Sequence, residues 1–258
     1  MVFDDPPVIC GHRGNGTGPA AGHAENTLPS FQAAVAAGLR WVEVDARVNA
    51  DRVLVSCHDP RVEDGRFVAD LSTRMTDELG LMKLDDLLED LPVEIGVDLD
   101  VKVSIEDALR RREDTTAALA ADLVTRLGRG RPLLVSSFDP SAILIVRERL
   151  PEVPIGLVTR RGCPLGEGIA ATAHLGAQVV GANAASLGVA QPEAARYDRG
   201  LPDVVQVAHA AGIEVLVWSA TPAEEEQLVS AGVDCIVVDD VAAALARERA
   251  RAGSVPGR

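Results

Sequence analysis

Six side chains able to do chemistry lie within the first sixty residues of this chain: His12, Arg13, Glu25, Glu43, Asp45 and His58. Most stand where a short apolar run stops or alternates. Val8-Ile9-Cys10-Gly11 leads into His12-Arg13, and Glu43 and Asp45 alternate with Val42 and Val44 after Trp41. The run Val53-Leu54-Val55-Ser56-Cys57 ends at His58. A later alternating stretch, 94–103, puts Asp98, Asp100 and Lys102 on one strand face and Val97, Leu99 and Val101 on the other. Carboxylates facing one way inside a β-rich core need a cation or a proton between them. Imidazoles carry protons near neutrality, and fixed cations clamp oxyanions. The set therefore offers two proton-transfer groups, a carboxylate cluster suited to a hard divalent cation, and fixed positive charges. Phosphodiester cleavage asks for the same things: a clamped phosphoryl group, a deprotonated attacking oxygen and a protonated leaving oxygen.

The elements that must position these groups follow from periodicity. Residues 8–11 read as a short buried strand and 14–22 as a loop rich in Gly, Ala and Thr. Residues 30–37 read as an Ala-rich helix, with Thr27 as N-cap, Pro29 at its start and Gly38 beyond its end. Only twelve residues separate Asp45 from His58, too few for a helical crossover. The chain must turn at 49–52 and come back, which brings His58 near the level of Glu43 and Asp45. A short polar cap insertion, read as loop, follows at about 60–82, then a helix at 83–90, and Ser104 is expected to cap a long helix ending near Leu127. Strands at 132–138, 154–158, 178–183, 214–218 and 234–238 then alternate with helices at 140–150, 166–175, 201–211, 222–231 and 241–250. With the ribbon at 53–57 set aside, eight strands are each followed by a helix. That arithmetic predicts one domain over 1–258, a (β/α)8 barrel with a short insertion after the second-strand hairpin. A doubly wound open sheet is the alternative, but no Gly-rich phosphate fingerprint follows the first strand. The tail at 252–258 is expected to be loose.

Composition narrows the partners. The 258 residues hold 25 Lys and Arg against 39 Asp and Glu, a formal net charge of −14. That balance argues against nucleic acid and broad anionic-membrane surfaces, while leaving room for one local basic pocket for a small phosphate, such as that of a small-molecule phosphodiester substrate. Cys10, Cys57, Cys163 and Cys235 form no C-x-x-C pair, which fits small buried thiols in a reducing cytoplasm. Residues 1–7 have no basic or apolar leader pattern and no apolar run nears the roughly 18 residues of a membrane span, so neither a signal peptide nor stable membrane insertion is expected. No feature specifies an oligomeric state.

The ordered motifs Gly11-His12-Arg13-Gly14, Glu25-Asn26-Thr27, Glu43-Val44-Asp45 and His58-Asp59 resemble the signature of the glycerophosphodiester phosphodiesterase family. That signature reads HRG, ENT, E-x-D with a short hairpin, then HD. Asp100-Val101-Lys102 stands in the place of the family's E-x-K, and Ser137-Phe138 in that of its SF segment. Val217-Trp218-Ser219 resembles its apolar-Trp-Thr segment, and Gly232-Val233-Asp234 with Val238-Asp239 its closing one. The resemblance implies a TIM barrel and metal-dependent hydrolysis of a glycerophosphodiester to glycerol phosphate and an alcohol. It implies His12 and His58 as the acid/base pair, and Glu43, Asp45 and Asp100 as ligands of one divalent ion, Mg2+ or Ca2+. It further implies Arg13 and Lys102 as phosphate contacts, with Glu25, Asn26 and Trp218 shaping the pocket. A cyclic phosphate made by a substrate hydroxyl is a second route that the sequence does not decide.

Three departures from the family pattern bear on that reading. Asp100 stands where the family has Glu, about one methylene shorter, and Asp98 on the same face is placed to compensate in part. The insertion after His58 is short and lacks an R-T-T-like segment, and Ser219-Ala220 replaces the family's residues after the Trp. Two other functions fit the same residues: a lysophospholipase D-like or other phosphodiesterase of the superfamily, and a catalytically silent phosphate-binding barrel, which the change at Asp100 favours. The plain structural readings are a hydrogen-bonded His12, a solvated strand face at Glu43 and Asp45, a self-neutralising Asp100–Lys102 pair, and Glu25 as an acid beside a helix start.

Overall fold

The apolar runs become β1 (Val8–Gly11), β2 (Trp41–Val48), β3 (Leu54–Ser56), β4 (Gly96–Val101), β5 (Leu133–Ser137), β6 (Ile155–Val158), β7 (Val179–Asn183), β8 (Glu214–Trp218) and β9 (Cys235–Val238). This computed structural model describes residues 1–187 and 199–254. β1 pairs in parallel with both β2 and β9, which closes the sheet around the order β1-β9-β8-β7-β6-β5-β4-β2. β3 alone is antiparallel, folded back on β2 with Ala46 opposite Ser56. The molecule is therefore a (β/α)8 barrel with one extra strand, and closure excludes the open sheet.

Helices cover the outer face: α1 (Leu28–Ala37), α4 (Thr116–Leu127), α5 (Pro140–Arg149), α6 (Leu165–Leu175), α7 (Leu201–Ala210), α8 (Pro222–Ala231) and α9 (Val241–Ser254). Between β3 and β4 lie two short ones, α2 (Thr73–Glu78) and α3 (Leu84–Asp90). Their apolar sides pack on the outward residues of the strands, such as Val42, Val44, Leu99 and Val135. A second cluster fills the barrel interior with Val8, Cys10, Trp41, Leu134, Val179, Leu216, Cys235 and Val237. The N-terminal segment plugs it: Phe3 is fully buried, edge-on to Trp41 at 5.0 Å, and its backbone N–H donates to Glu214 Oε1 at 3.1 Å. The interior is thus apolar where the strands begin and charged where they end.

Three expectations are corrected. Ser104 caps no long helix; the chain makes two 3-10 turns over 105–114, and α4 starts only where Thr115 accepts a hydrogen bond from Ala118 N. The polar insertion is not all loop, because Ser72 caps α2 through the N–H of Met75. α9 runs to Ser254, so the part of the tail at 252–254 is helical, and 255–258 lie outside the described residues.

Candidate active site

β2 and β4 run in register, so their inward residues form rungs. Glu43 lies opposite Asp98 and Asp45 opposite Asp100. Lys102 N donates to Ala46 O at 3.0 Å, which carries the ladder on to Arg47 and Lys102. Two carboxylate rungs therefore lie under one cationic rung at the carboxyl ends of the strands, where barrel enzymes place their chemistry. The acids are deep: Glu43, Asp45, Asp98 and Asp100 are 5%, 0%, 3% and 6% exposed, which excludes a solvated strand face.

The turn after β1 adds the next groups. A Cβ on Gly11 would sit 2.0 Å from Gly14 O, so only glycine lets the chain fold back this tightly. Arg13 takes a left-handed φ of 52° there, and its backbone N–H donates to Glu43 Oε2 at 2.9 Å. Its guanidinium donates to Glu25 at 2.6 Å and brings Nε to 3.1 Å from Asp45 Oδ2, without the alignment of a hydrogen bond. Asn26 is buried, donates to Asp45 Oδ2 at 2.8 Å and accepts from Ser56 Oγ at 2.6 Å. His12 places Nε2 3.9 Å from Glu43 Oε2 and gives Nδ1 to Asp239 Oδ1 at 2.6 Å. The His12 hydrogen bond, working against burial, holds Asp239 below its ordinary value; the carboxylate is therefore the acceptor and the imidazole the donor.

Too few cations face these acids. Lys102 bridges Asp45, at 2.9 Å, and Asp100. Burial pushes Asp45 up, but Lys102, Arg13 and Asn26 together hold it below its ordinary value. Burial drives Glu43 well up, reinforced by the Asp45 charge, and raises Asp100 against the pull of Lys102. Burial likewise brings Asp98 up to about 7, although Ser136 Oγ donates to it at 2.7 Å. Glu43, Asp45 and Asp100 each offer an oxygen, all within 4.8 Å of one another, so the shorter Asp100 still reaches the cluster. Asp100 Oδ1 is buried with no hydrogen-bond partner among the described residues, and Asp45 Oδ1 has only its ion pair with Lys102 Nζ. An all-oxygen set with spare lone pairs suits a hard divalent cation, which would also reverse the upward pKa shifts.

Beside the cluster a cavity of about 950 Å³ opens, lined among others by His58, Lys102, Phe138 and Trp218. His58 comes off β3 and holds Nδ1 2.9 Å from Asp59 Oδ1. Trp218 stands edge-on to Phe138 at 5.9 Å. His12 and the acid cluster lie outside the cavity lining, with Asp45 and Asp100 one rung below Lys102. One residue of the site, Arg47, escaped the sequence reading, and so did the role of a second, Asp239. Arg47 continues the period-two series Glu43, Asp45, and that signal was available. Asp239 stands in the closing motif segment Val238-Asp239, but its contact with His12 had no local signal, because the two meet only through the seam where β9 closes on β1.

Comparison with known proteins bears on the fold and the family. No curated protein sequence matches the chain significantly. Among solved structures, an Oleispira antarctica phosphodiesterase in complex with the product sn-glycerol-3-phosphate is similar at 21% identity and a TM-score of 0.75, covering 94% of this chain and 97% of that one. Glycerophosphodiester phosphodiesterases from Thermotoga maritima (20%, TM-score 0.70, covering 93% and 97%) and Parabacteroides distasonis (21%, TM-score 0.73, covering 95% and 98%) share the fold. The family model for the glycerophosphoryl diester phosphodiesterase family matches residues 12–243. With His12 at the first matched position and Asp239 near the last, the chain belongs to the glycerophosphoryl diester phosphodiesterase family.

Proposed function

We propose that this protein hydrolyses glycerophosphodiesters to glycerol phosphate and an alcohol, using one divalent cation and the histidine pair His12 and His58. The observation that carries the reading is the buried triad Glu43, Asp45 and Asp100, closed to within 4.8 Å and next to His12. A Mg2+ or Ca2+ ion held there supplies positive charge to the phosphoryl oxygens. Arg13 and Lys102, the fixed cations among the acids, hold further phosphate oxygens. Asp239 accepts the hydrogen bond of His12 Nδ1–H, which keeps the proton on Nδ1 and leaves Nε2 for proton transfer, and Asp59 does the same for His58. An attacking oxygen, from water or from a substrate hydroxyl, gives its proton to one imidazole as the new P–O bond forms. The bond to the alcohol breaks, and the leaving oxygen takes a proton from the other imidazole. Where a substrate hydroxyl attacks, water then opens the cyclic phosphate through the same two proton transfers to give glycerol phosphate. Glu25 and Asn26 hold Arg13 and Asp45 in place, and Trp218 walls the cavity.

The test is release of glycerol phosphate from a glycerophosphodiester by purified protein. The expected result is turnover with Mg2+ or Ca2+, loss after EDTA and recovery on adding the ion back. Metal binding without release from any diester would instead support a silent phosphate-binding barrel.

A further inference from the structure

The cavity at the barrel mouth runs against the charge of the chain. The protein carries a formal net charge of −14, yet Arg47, Lys102, Arg160 and Arg161 all line this one space. Its acids are engaged elsewhere: Asp59 holds His58, and Asp139 caps α5 by accepting from Ser141 N at 2.7 Å. Lys102 is already paired with Asp45 and Asp100. Among the described residues, Arg47, Arg160 and Arg161 have no carboxylate within ion-pair distance. Arg47 is nonetheless fixed, because its Nε and Nη2 donate to His58 O at 3.0 and 2.6 Å. Phe138 stands against two of the cations, its ring centre 5.2 Å from Lys102 Nζ and 5.7 Å from the Arg160 guanidinium carbon. Beside it, Trp218 Nε1 is a buried donor with no partner among the described residues.

Cations clustered without an ion-pair partner among the described residues repel one another, and an anion placed among them relieves that cost. The single charge of the reacting phosphodiester belongs beside Lys102 and the acid cluster. The glycerol moiety is uncharged, so only the alcohol can bring a second negative group. We propose that Arg47, Arg160 and Arg161 form an anion subsite for the alcohol moiety. The enzyme then prefers glycerophosphodiesters whose alcohol carries a carboxylate or second phosphate over those with a neutral or ammonium head group. This deepens the proposed hydrolysis and rests on it.

Three diesters of similar size test it: glycerophosphoglycolate, glycerophosphoethanol and glycerophosphoethanolamine, with anionic, neutral and cationic alcohols. For the wild-type protein kcat/KM should fall in that order by at least about tenfold overall, a step of roughly 1.4 kcal/mol, and the spread should narrow as salt is raised. In the double variant Arg160→Ala/Arg161→Ala the ratio between the anionic and cationic substrates should collapse toward one. No charge preference in the wild type, or an unchanged preference in the double variant, overturns the subsite while leaving hydrolysis intact. If none of the three is cleaved, the hydrolytic reading fails instead. Calorimetric affinities for the same uncleaved diesters then decide the subsite, and equal affinities overturn it.

Discussion

At the residue scale, the site is a problem of unbalanced buried charge. Four inward carboxylates on β2 and β4 face two nearby cations, Arg13 and Lys102, so protons or a metal ion must make up the difference. Asp98 is placed for the proton solution. Burial brings it up to about 7, whereas an unfolded chain releases the same proton near the ordinary carboxylate value. Between those values the folded state binds more protons, so metal-free stability falls as pH rises through that window. Asp98→Asn removes this dependence: the difference in melting temperature between pH 5 and pH 8 should shrink by a few degrees, and an unchanged difference would count against the buried-carboxyl account. Asp239 acts through His12 rather than on substrate. Asp239→Asn should lower kcat by at least about tenfold with little change in KM, because the amide no longer fixes the imidazole tautomer. A change confined to KM would contradict that positioning role.

At the element scale, the turn after β1 has the least tolerance. Gly16 sits at φ 96°, and a Cβ there would come within 2.0 Å of Asp239 O. Gly16→Ala should therefore cost more than about 1 kcal/mol in denaturant unfolding and lower activity as well, since it pushes apart the two strand ends that join His12 to Asp239. A fully stable, fully active variant would show that the two loops move independently. Much of this scale was legible in sequence. The alternation in β2 and β4 placed every inward carboxylate, and the twelve-residue interval before His58 required a hairpin. The stretch after Lys102 was not legible: Ser104 looks like a cap, but Thr115 is the residue whose hydroxyl meets a helix N-terminus. A cap is decided by where the chain leaves the barrel rim, which depends on tertiary packing more than on local sequence.

At the scale of the whole molecule, the barrel separates support from chemistry along its axis. Phe3 and Trp41 close the end where the strands begin, and Cys10 and Cys235 are buried above them. Phe3→Ala should destabilise the fold by about 3–5 kcal/mol in chemical denaturation without altering the charge preference of the cavity at the other end. Burial and the neighbouring Cys235 push the Cys10 thiol well up, so it should resist alkylation in the native state and react only on unfolding. Eight strand–helix repeats were readable from hydrophobic period and glycine punctuation. The closing seam was not, because Asp239 reaches His12 across 227 positions of sequence and no local pattern records such a meeting. The central claim is that these dispersed residues make one phosphodiesterase site. The most direct measurement is glycerol phosphate release by His12→Ala against wild type at saturating divalent metal. The rate should fall by about 10²–10⁴, the range set by loss of a proton-transfer group; release at the wild-type rate would contradict the account.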